Sequence, residues 1–248
     1  MISALVSKLR HRLVNLRSLR KVDGLVDALW PTACLVCGRG DALRSGICTG
    51  CQADLPVPSG ACRRCARPLP RDVDRCGRCS RRTPRFDSAQ AAYAYAEPVS
   101  TLVQRFKFER DLAAGRMLAI QMAERLAAGR AKRPDLLVPV PLHWKRRWTR
   151  GFNQAELLCR DLSPALGGLP WCDVLARSRA TRVQSELPAS RRSGNVRGAF
   201  RVQRLPGPPA FVALVDDVMT TGSTLDACAQ ALKDAGVRRV EAWVIARA

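Results

Sequence analysis

The feature that most limits what this chain can become is a run of four Cys-x-x-Cys pairs: Cys34/Cys37, Cys48/Cys51, Cys62/Cys65 and Cys76/Cys79. Each pair starts fourteen residues after the one before. Gly, Pro and Arg fill the intervals, with few large apolar residues. Roughly 50 residues of that composition cannot bury enough apolar surface to fold unaided, so something other than a hydrophobic core must hold them. Two thiolates two residues apart can reach one ion, and two such pairs complete a tetrahedron of sulfur. The register therefore predicts two zinc sites. In sequential pairing, one zinc takes Cys34, Cys37, Cys48 and Cys51, and the other takes Cys62, Cys65, Cys76 and Cys79; in interleaved pairing, the first pair joins the third and the second the fourth. Disulfides and an iron–sulfur cluster are the competing uses, and the lack of an export signal speaks against the first. Four sulfur ligands leave no open coordination position, so both zincs are expected to be structural. Cys159, Cys172 and Cys228 stand alone and read as small buried apolar residues.

After Pro84 the composition changes to alternating and helical apolar patterns. Strands are expected at 88–96, 136–141, 212–215 and 240–245. Helices are expected at 98–108, 111–128, 153–166 and 223–235, the second capped by Asp111, and the last three stopped by Gly129, Gly167 and Gly236. Strands alternating with helices predict an α/β fold, a parallel sheet flanked by helices on both faces. The chain thus divides into a basic N-terminal extension (1–30), a small zinc-ribbon domain (31–84) and the α/β domain (85–248). Residues 1–21 place Leu5, Leu9, Leu13, Leu16 and Leu19 at helical spacing among Lys and Arg, which suits a loosely docked basic helix. No stretch approaches the roughly 20 apolar residues of a membrane span, and no signal peptide opens the chain, so a cytoplasmic protein is expected. A formal charge of +21, with 42 Lys and Arg against 21 Asp and Glu, favours a polyanionic partner.

The segment Val212 to Thr224 carries the most chemistry. Four apolar residues bring a strand out of the core, Asp216 and Asp217 follow, and a hydroxyl-rich turn leads into a helix. Backbone N–H groups of Thr220, Thr221, Gly222, Ser223 and Thr224 can encircle a phosphate at the positive end of that helix, with hydroxyls as further donors. Gly222 permits a close backbone approach. Asp216 and Asp217 then stand about one sugar away, able to accept from ribose hydroxyls or to help hold Mg²⁺. The implied ligand is a ribose 5-phosphate.

Over its full length this segment resembles the PRPP-binding signature of type I phosphoribosyltransferases, which implies a Rossmann-like fold of that type. In such proteins a loop after a neighbouring strand receives pyrophosphate. Here, beyond Val138–Pro141, that loop offers Lys145, Arg146, Arg147 and Arg150. Together with Phe106-Lys107-Phe108, Arg150 to Gln154, Arg179 to Gln184 and Asn195 to Phe200, the pattern resembles the ComF family, including its GntX branch, over residues 31–248. By that resemblance Lys107 faces the phosphates and Arg179 to Arg192 form a flap. The plain alternatives are a solvated Lys107 between two core phenylalanines and a surface loop. Trp144 and Trp148 can stack on bases or pack on the sheet.

Two classes of function follow. One is an enzyme that displaces pyrophosphate from PRPP, with Asp216 and Asp217 orienting the ribose and Mg²⁺ and the basic loop receiving the leaving group. No residue identifies its acceptor, and neither His11 nor His143 is placed as a general base. The other is what the ComF resemblance implies: a role in natural transformation, with single-stranded DNA as partner and a DNA-uptake helicase or recombination proteins beside it. A phosphoribosyltransferase of nucleotide metabolism with no DNA role, and a non-catalytic zinc-ribbon adaptor, remain the alternatives.

Overall fold

The computed structural model describes residues 33–42, 45–128, 132–142, 151–177, 198–203, 207 and 209–248. In the cysteine-rich part, helices α1 (Thr49–Ala53) and α2 (Gly77–Arg81) begin directly after Cys48 and Cys76. A short antiparallel pair, β1 (Gly60–Ala61) and β2 (Pro68–Leu69), lies between them.

Strand β3 (Ser88–Ala94) leads into α3 (Val99–Gln104), which continues as a π-helical turn over Arg105–Glu109 where a single helix to Phe108 was expected. Helix α4 (Leu112–Ala127) follows, with Asp111 Oδ1 accepting the Ala114 N–H at 2.9 Å as its cap. Strand β4 (Leu136–Pro139) and helix α5 (Gln154–Ala165) come next, the latter capped by Asn153. An antiparallel pair that the sequence did not reveal, β5 (Leu175–Arg177) with β6 (Phe200–Val202), precedes β7 (Phe211–Met219), α6 (Ser223–Asp234) and β8 (Arg239–Arg247).

The four long strands form one parallel sheet in the order β3, β8, β7, β4. Alternation along β7 sends Ala213 and Val215 to one face and Val212 and Leu214 to the other. The first face is covered by α4 and α5 through Met117, Leu118, Leu158 and Leu162; the second is covered by α6 through Leu225, Cys228 and Leu232. Each fully buried aliphatic side chain contributes about 1.5–3 kcal/mol relative to exposure. The first zinc module joins this core, since Cys34, Ile47, Cys48 and Leu55 pack in the cluster that holds Leu102 and Phe106. Among the described residues, no helix is long and apolar enough to cross a membrane.

Two strand ends differ from expectation, each for a backbone reason. β7 continues beyond Val215 through both acids to Met219, because β8 lies beside it that far, pairing Asp216 with Val244 and Met219 with Arg247. β4 stops level with Val215: Val140 still donates to Val215 O at 2.9 Å, but the Val140 carbonyl accepts from the Asn153 amide at 3.1 Å and the Asp217 N–H turns to Asp216 Oδ1 at 2.9 Å, so the next rung of the ladder is not made. The carboxyl end of β7 therefore projects past its neighbour, and ligands of open parallel sheets gather beyond such ends.

Candidate functional site

The eight paired cysteines converge as Cys34, Cys37, Cys48 and Cys51 in one group and Cys62, Cys65, Cys76 and Cys79 in the other. Within each group the sulfurs lie within 4.8 Å of one another. Sequential pairing is the one built. Cys37 and Cys48 sulfurs stand 3.8 Å apart, as do those of Cys65 and Cys76. Four sulfurs about 2.3 Å from a central zinc would sit about 3.8 Å apart, whereas a disulfide needs about 2.05 Å. The donor set fits zinc, and the backbone explains how it is held. Cys48 N donates to Cys34 Sγ at 3.4 Å, and Cys76 N to Cys62 Sγ at 3.2 Å. Gly38 N donates to Cys34 O at 2.8 Å, and Ala66 N to Cys62 O at 2.7 Å. The same bonds recur from Cys34 to Cys62 and from Cys48 to Cys76, so the structural repeat is two cysteine pairs rather than one.

Burial pushes the Cys34 thiol up, yet backbone N–H donors from Cys37, Cys48 and Val36 bring it down to about 6. Against the same push, the Cys79 N–H and neighbouring sulfurs bring Cys76 to about 7. Burial and adjacent sulfurs drive Cys51 and Cys79 up. Four sulfurs aimed at one point cannot all ionise against each other's charge, and a divalent cation there removes the conflict. Of the solitary cysteines, Cys159 and Cys228 are buried as expected; Cys172 is exposed, since it lies outside the helices that cover the sheet.

At the end of β7 the two acids leave on opposite faces, as strand geometry requires. Asp217 shares the face of Val215, and its Oδ1 lies 2.8 Å from Lys107 Nζ, with the side chains 12% and 18% exposed. Lys107 is not a solvated residue between two core phenylalanines. Phe106 is buried, its ring centroid 6.0 Å from that of Phe152, but Phe108 is 69% exposed. Asp216 points the other way. Burial pushes the Cys228 thiol up, the Asp216 charge adds to this and Arg177 opposes it.

Beyond Met219 the chain turns through Gly222, whose φ of +75° is left-handed, into α6. A Cβ at Gly222 would press on Met219 Sδ at 3.2 Å. Thr221 Oγ1 and Ser223 Oγ lie 2.8 Å apart, and Thr221 Oγ1 accepts the Ser223 N–H at 3.4 Å. Thr220 is exposed, while Thr221, Ser223 and Thr224 are half-buried. The turn thus sets hydroxyls and helix-start N–H groups around the point where an anion would sit.

Lys145, Arg146, Arg147 and Arg150 lie outside the described residues, as do His143, Trp144, Trp148, the stretch from Arg179 to Arg192 and the basic extension with His11. The flanks of the basic loop are described. It leaves from the end of β4 and returns at Gly151, where Phe152 packs on Phe106 beside Lys107. Gln154, the first residue of α5, is 2% exposed, with neither amide atom hydrogen-bonded among the described residues.

Sequence reasoning missed the arginines that support the site. Arg105 Nη1 donates to Leu35 O at 2.8 Å. Arg78 Nη2 donates to Thr221 O at 2.8 Å, and buried Arg247 donates to Cys65 O at 3.1 Å and to Met219 O at 2.9 Å. A cleft of about 540 Å³ runs between the second zinc module and the turn, lined by Arg78, Arg82, Arg85, Phe200, Thr221 and Asp226 among others.

The fold defines an α/β protein, a parallel sheet flanked by helices, preceded by a double zinc ribbon. Residues 25–80 match the family model described as a double zinc ribbon domain. The chain belongs to the ComF family of competence proteins: it is 39% identical over 160 residues to competence protein F of Haemophilus influenzae, covering 62% of this chain and 70% of that protein. DNA utilization protein YhgH of Escherichia coli is 38% identical over 62% of this chain and 69% of its own length. Competence protein ComFC of Streptococcus pneumoniae is 26% identical over 64% and 68%. Among solved structures, the alanine mutant from an analysis of an invariant aspartic acid in HPRTs is similar over 55% of this chain and 78% of that one, at 14% identity and a TM-score of 0.34.

Proposed function

We propose that the protein binds a 5-phosphorylated ribose, PRPP with Mg²⁺ being the form that satisfies most of the site, and acts on incoming single-stranded DNA during DNA uptake in the cytoplasm. The observation that carries the ligand reading is the Lys107–Asp217 pair at the root of the hydroxyl-lined turn. A cation and a carboxylate kept largely from water at 2.8 Å suit a ligand bearing both phosphate and hydroxyl groups: Lys107 is the donor for the first, Asp217 the acceptor for the second. Asp217, on the Lys107 face, supplies a hard oxygen of the kind Mg²⁺ takes, and Asp216, on the opposite face, is the second acid of the pair available to the ribose. The turn Thr220–Thr224 offers the phosphate its donors, and Lys145, Arg146, Arg147 and Arg150 supply charge for pyrophosphate.

The DNA part rests on the relatives' names, competence protein F and DNA utilization protein, and on where the charge sits. Nine arginines stand between Gly60 and Phe86 against Asp72 and Asp74, whereas residues 33–59 balance Arg39 and Arg44 with Asp41 and Asp54. The second ribbon, beside the cleft, is the natural seat for a phosphodiester backbone.

Calorimetric titration of PRPP with Mg²⁺ into the zinc-loaded protein tests the ligand, alongside an Asp216→Asn/Asp217→Asn variant. Micromolar binding that the variant loses is expected; no binding by the intact protein overturns the ligand reading. Release of pyrophosphate with DNA or nucleobases present tests turnover. A steep fall of single-stranded DNA affinity with salt, flattened by Arg81→Gln/Arg82→Gln at two exposed arginines, tests the DNA surface.

A further inference from the structure

Each zinc module reaches the candidate site through guanidinium groups that tie a carbonyl of its metal knuckle to one part of that site. In the first module, Leu35 lies between the ligands Cys34 and Cys37, and Leu35 O accepts from Arg105 Nη1 at 2.8 Å. The Nε and Nη2 of Arg105 hold Asp111, the cap of α4, at 3.0 and 2.6 Å. Arg105 also opens the π-helical turn that carries Lys107. In the second module the carbonyl belongs to a ligand itself, since Arg247 Nε donates to Cys65 O at 3.1 Å and its Nη1 to Met219 O at 2.9 Å, where the turn begins. Arg78, between the ligands Cys76 and Cys79, adds its bond to Thr221 O at 2.8 Å.

Among the described residues the two routes share no residue, and their ends face each other across the Lys107–Asp217 pair. One ends on the Lys107 turn and the other on the Met219–Ser223 turn. A knuckle carbonyl keeps its direction only while the sulfurs beside it converge, so each metal fixes the carbonyl from which its strut hangs. We propose that the two zinc sites are separate supports for two halves of one site: the first holds the Lys107 turn through Arg105, and the second holds the phosphate turn through Arg247 and Arg78. Arg105, Arg247 and Arg78 are positioning residues. The ligand reading concerns the same site, but the struts exist without a ligand and are tested without one.

The test is peptide-resolved hydrogen–deuterium exchange on the full, zinc-loaded chain with no ligand added, reading residues 105–111 and 219–226. Arg247→Gln and Arg105→Gln keep all eight cysteines, and elemental analysis should return two zinc ions per chain for both. A charged hydrogen bond corresponds to about a ten- to hundredfold change in a local opening equilibrium. Arg247→Gln should therefore speed exchange at 219–226 about tenfold or more and leave 105–111 unchanged, and Arg105→Gln should do the reverse. Arg247→Lys should restore part of the protection, because an ammonium can still reach one of the two carbonyls; a merely space-filling arginine would not be rescued in this way. Cys79→Ser and Cys51→Ser, each reducing the zinc count to one, should reproduce the same division. Arginine variants that leave both segments unchanged, or that loosen both alike with the metal retained, overturn the proposal whatever PRPP does.

Discussion

Asp217→Asn leaves the Lys107 ammonium in place and removes its counter-charge. The pair lies at 2.8 Å with the side chains 18% and 12% exposed. Removing one partner of a fully buried pair costs about 3–5 kcal/mol, and an exposed pair is worth about 0–1. This pair stands near the buried limit but not at it, so a loss of about 2–3 kcal/mol is expected. Urea unfolding with zinc held constant should show it as a midpoint lowered by about 1 M with an unchanged slope. Lys107→Met should lose a similar amount by stranding the carboxylate. The double variant should recover most of the loss, leaving about 1 kcal/mol, since neither charge is then left alone, giving a coupling of about 3–5 kcal/mol. Inorganic pyrophosphate provides a second arm: the stranded ammonium should make the Asp217→Asn variant gain more stability from it than the parent does. A variant within about 0.5 kcal/mol of the parent would show that the pair is screened by water in solution. Equal stabilisation by pyrophosphate would show that Lys107 does not face an anion site.

Gly115 on α4 has no room for a Cβ, which would collide with the buried Phe106 ring; Gly115→Ala should cost about 1–3 kcal/mol in urea unfolding and loosen the Lys107 turn that Phe106 anchors. Gln154→Met replaces a buried amide without hydrogen-bond partners among the described residues by an apolar chain of similar volume, so the unliganded protein should gain about 1 kcal/mol; a loss would mean the amide holds a partner. Burial pushes Tyr93 up to about 12, with Arg125 opposing and Glu124 adding. The neutral phenol is thus favoured by the fold. Its contribution is intact below pH 10 and lost as pH rises through 12, about 2–3 kcal/mol in all, so Tyr93→Phe should show a shallower alkaline decline over that window.

The metal ligands were legible because a Cys-x-x-Cys pair states its chemistry locally. Their pairing was not, because equal fourteen-residue steps fit sequential and interleaved sites alike, and only the recurrence of the Cys34 backbone bonds at Cys62 separates them. The strand, turn and helix around Asp216 to Thr224 were legible because an apolar run, two acids and a hydroxyl-rich turn differ sharply in chemistry. The true length of β7 was not, since residues beyond Val215 are strand only by virtue of β8 alongside. Arg105 and Arg247 were invisible for a different reason. Their acceptors are backbone carbonyls 70 and 182 positions away, and a carbonyl leaves no mark in a sequence where 42 residues are Lys or Arg.

That excess of arginine bears on why the second module is metal-built. A zinc ion with four thiolates carries a formal charge of about −2, the reverse of what a bare cation would bring. Among the nine arginines between Gly60 and Phe86, the buried centre on Cys62, Cys65, Cys76 and Cys79 is therefore an internal counter-charge as well as a clamp. Arginines around it favour the thiolate form, and the centre in turn lowers the repulsion among arginines that face outward for a polyanion. A hydrophobic core of the same size could hold the chain together but would leave that repulsion untouched. Stripping zinc from this module should accordingly be far more damaging at low salt than at high salt. In the first module, whose arginines and acids balance, the loss should depend little on salt.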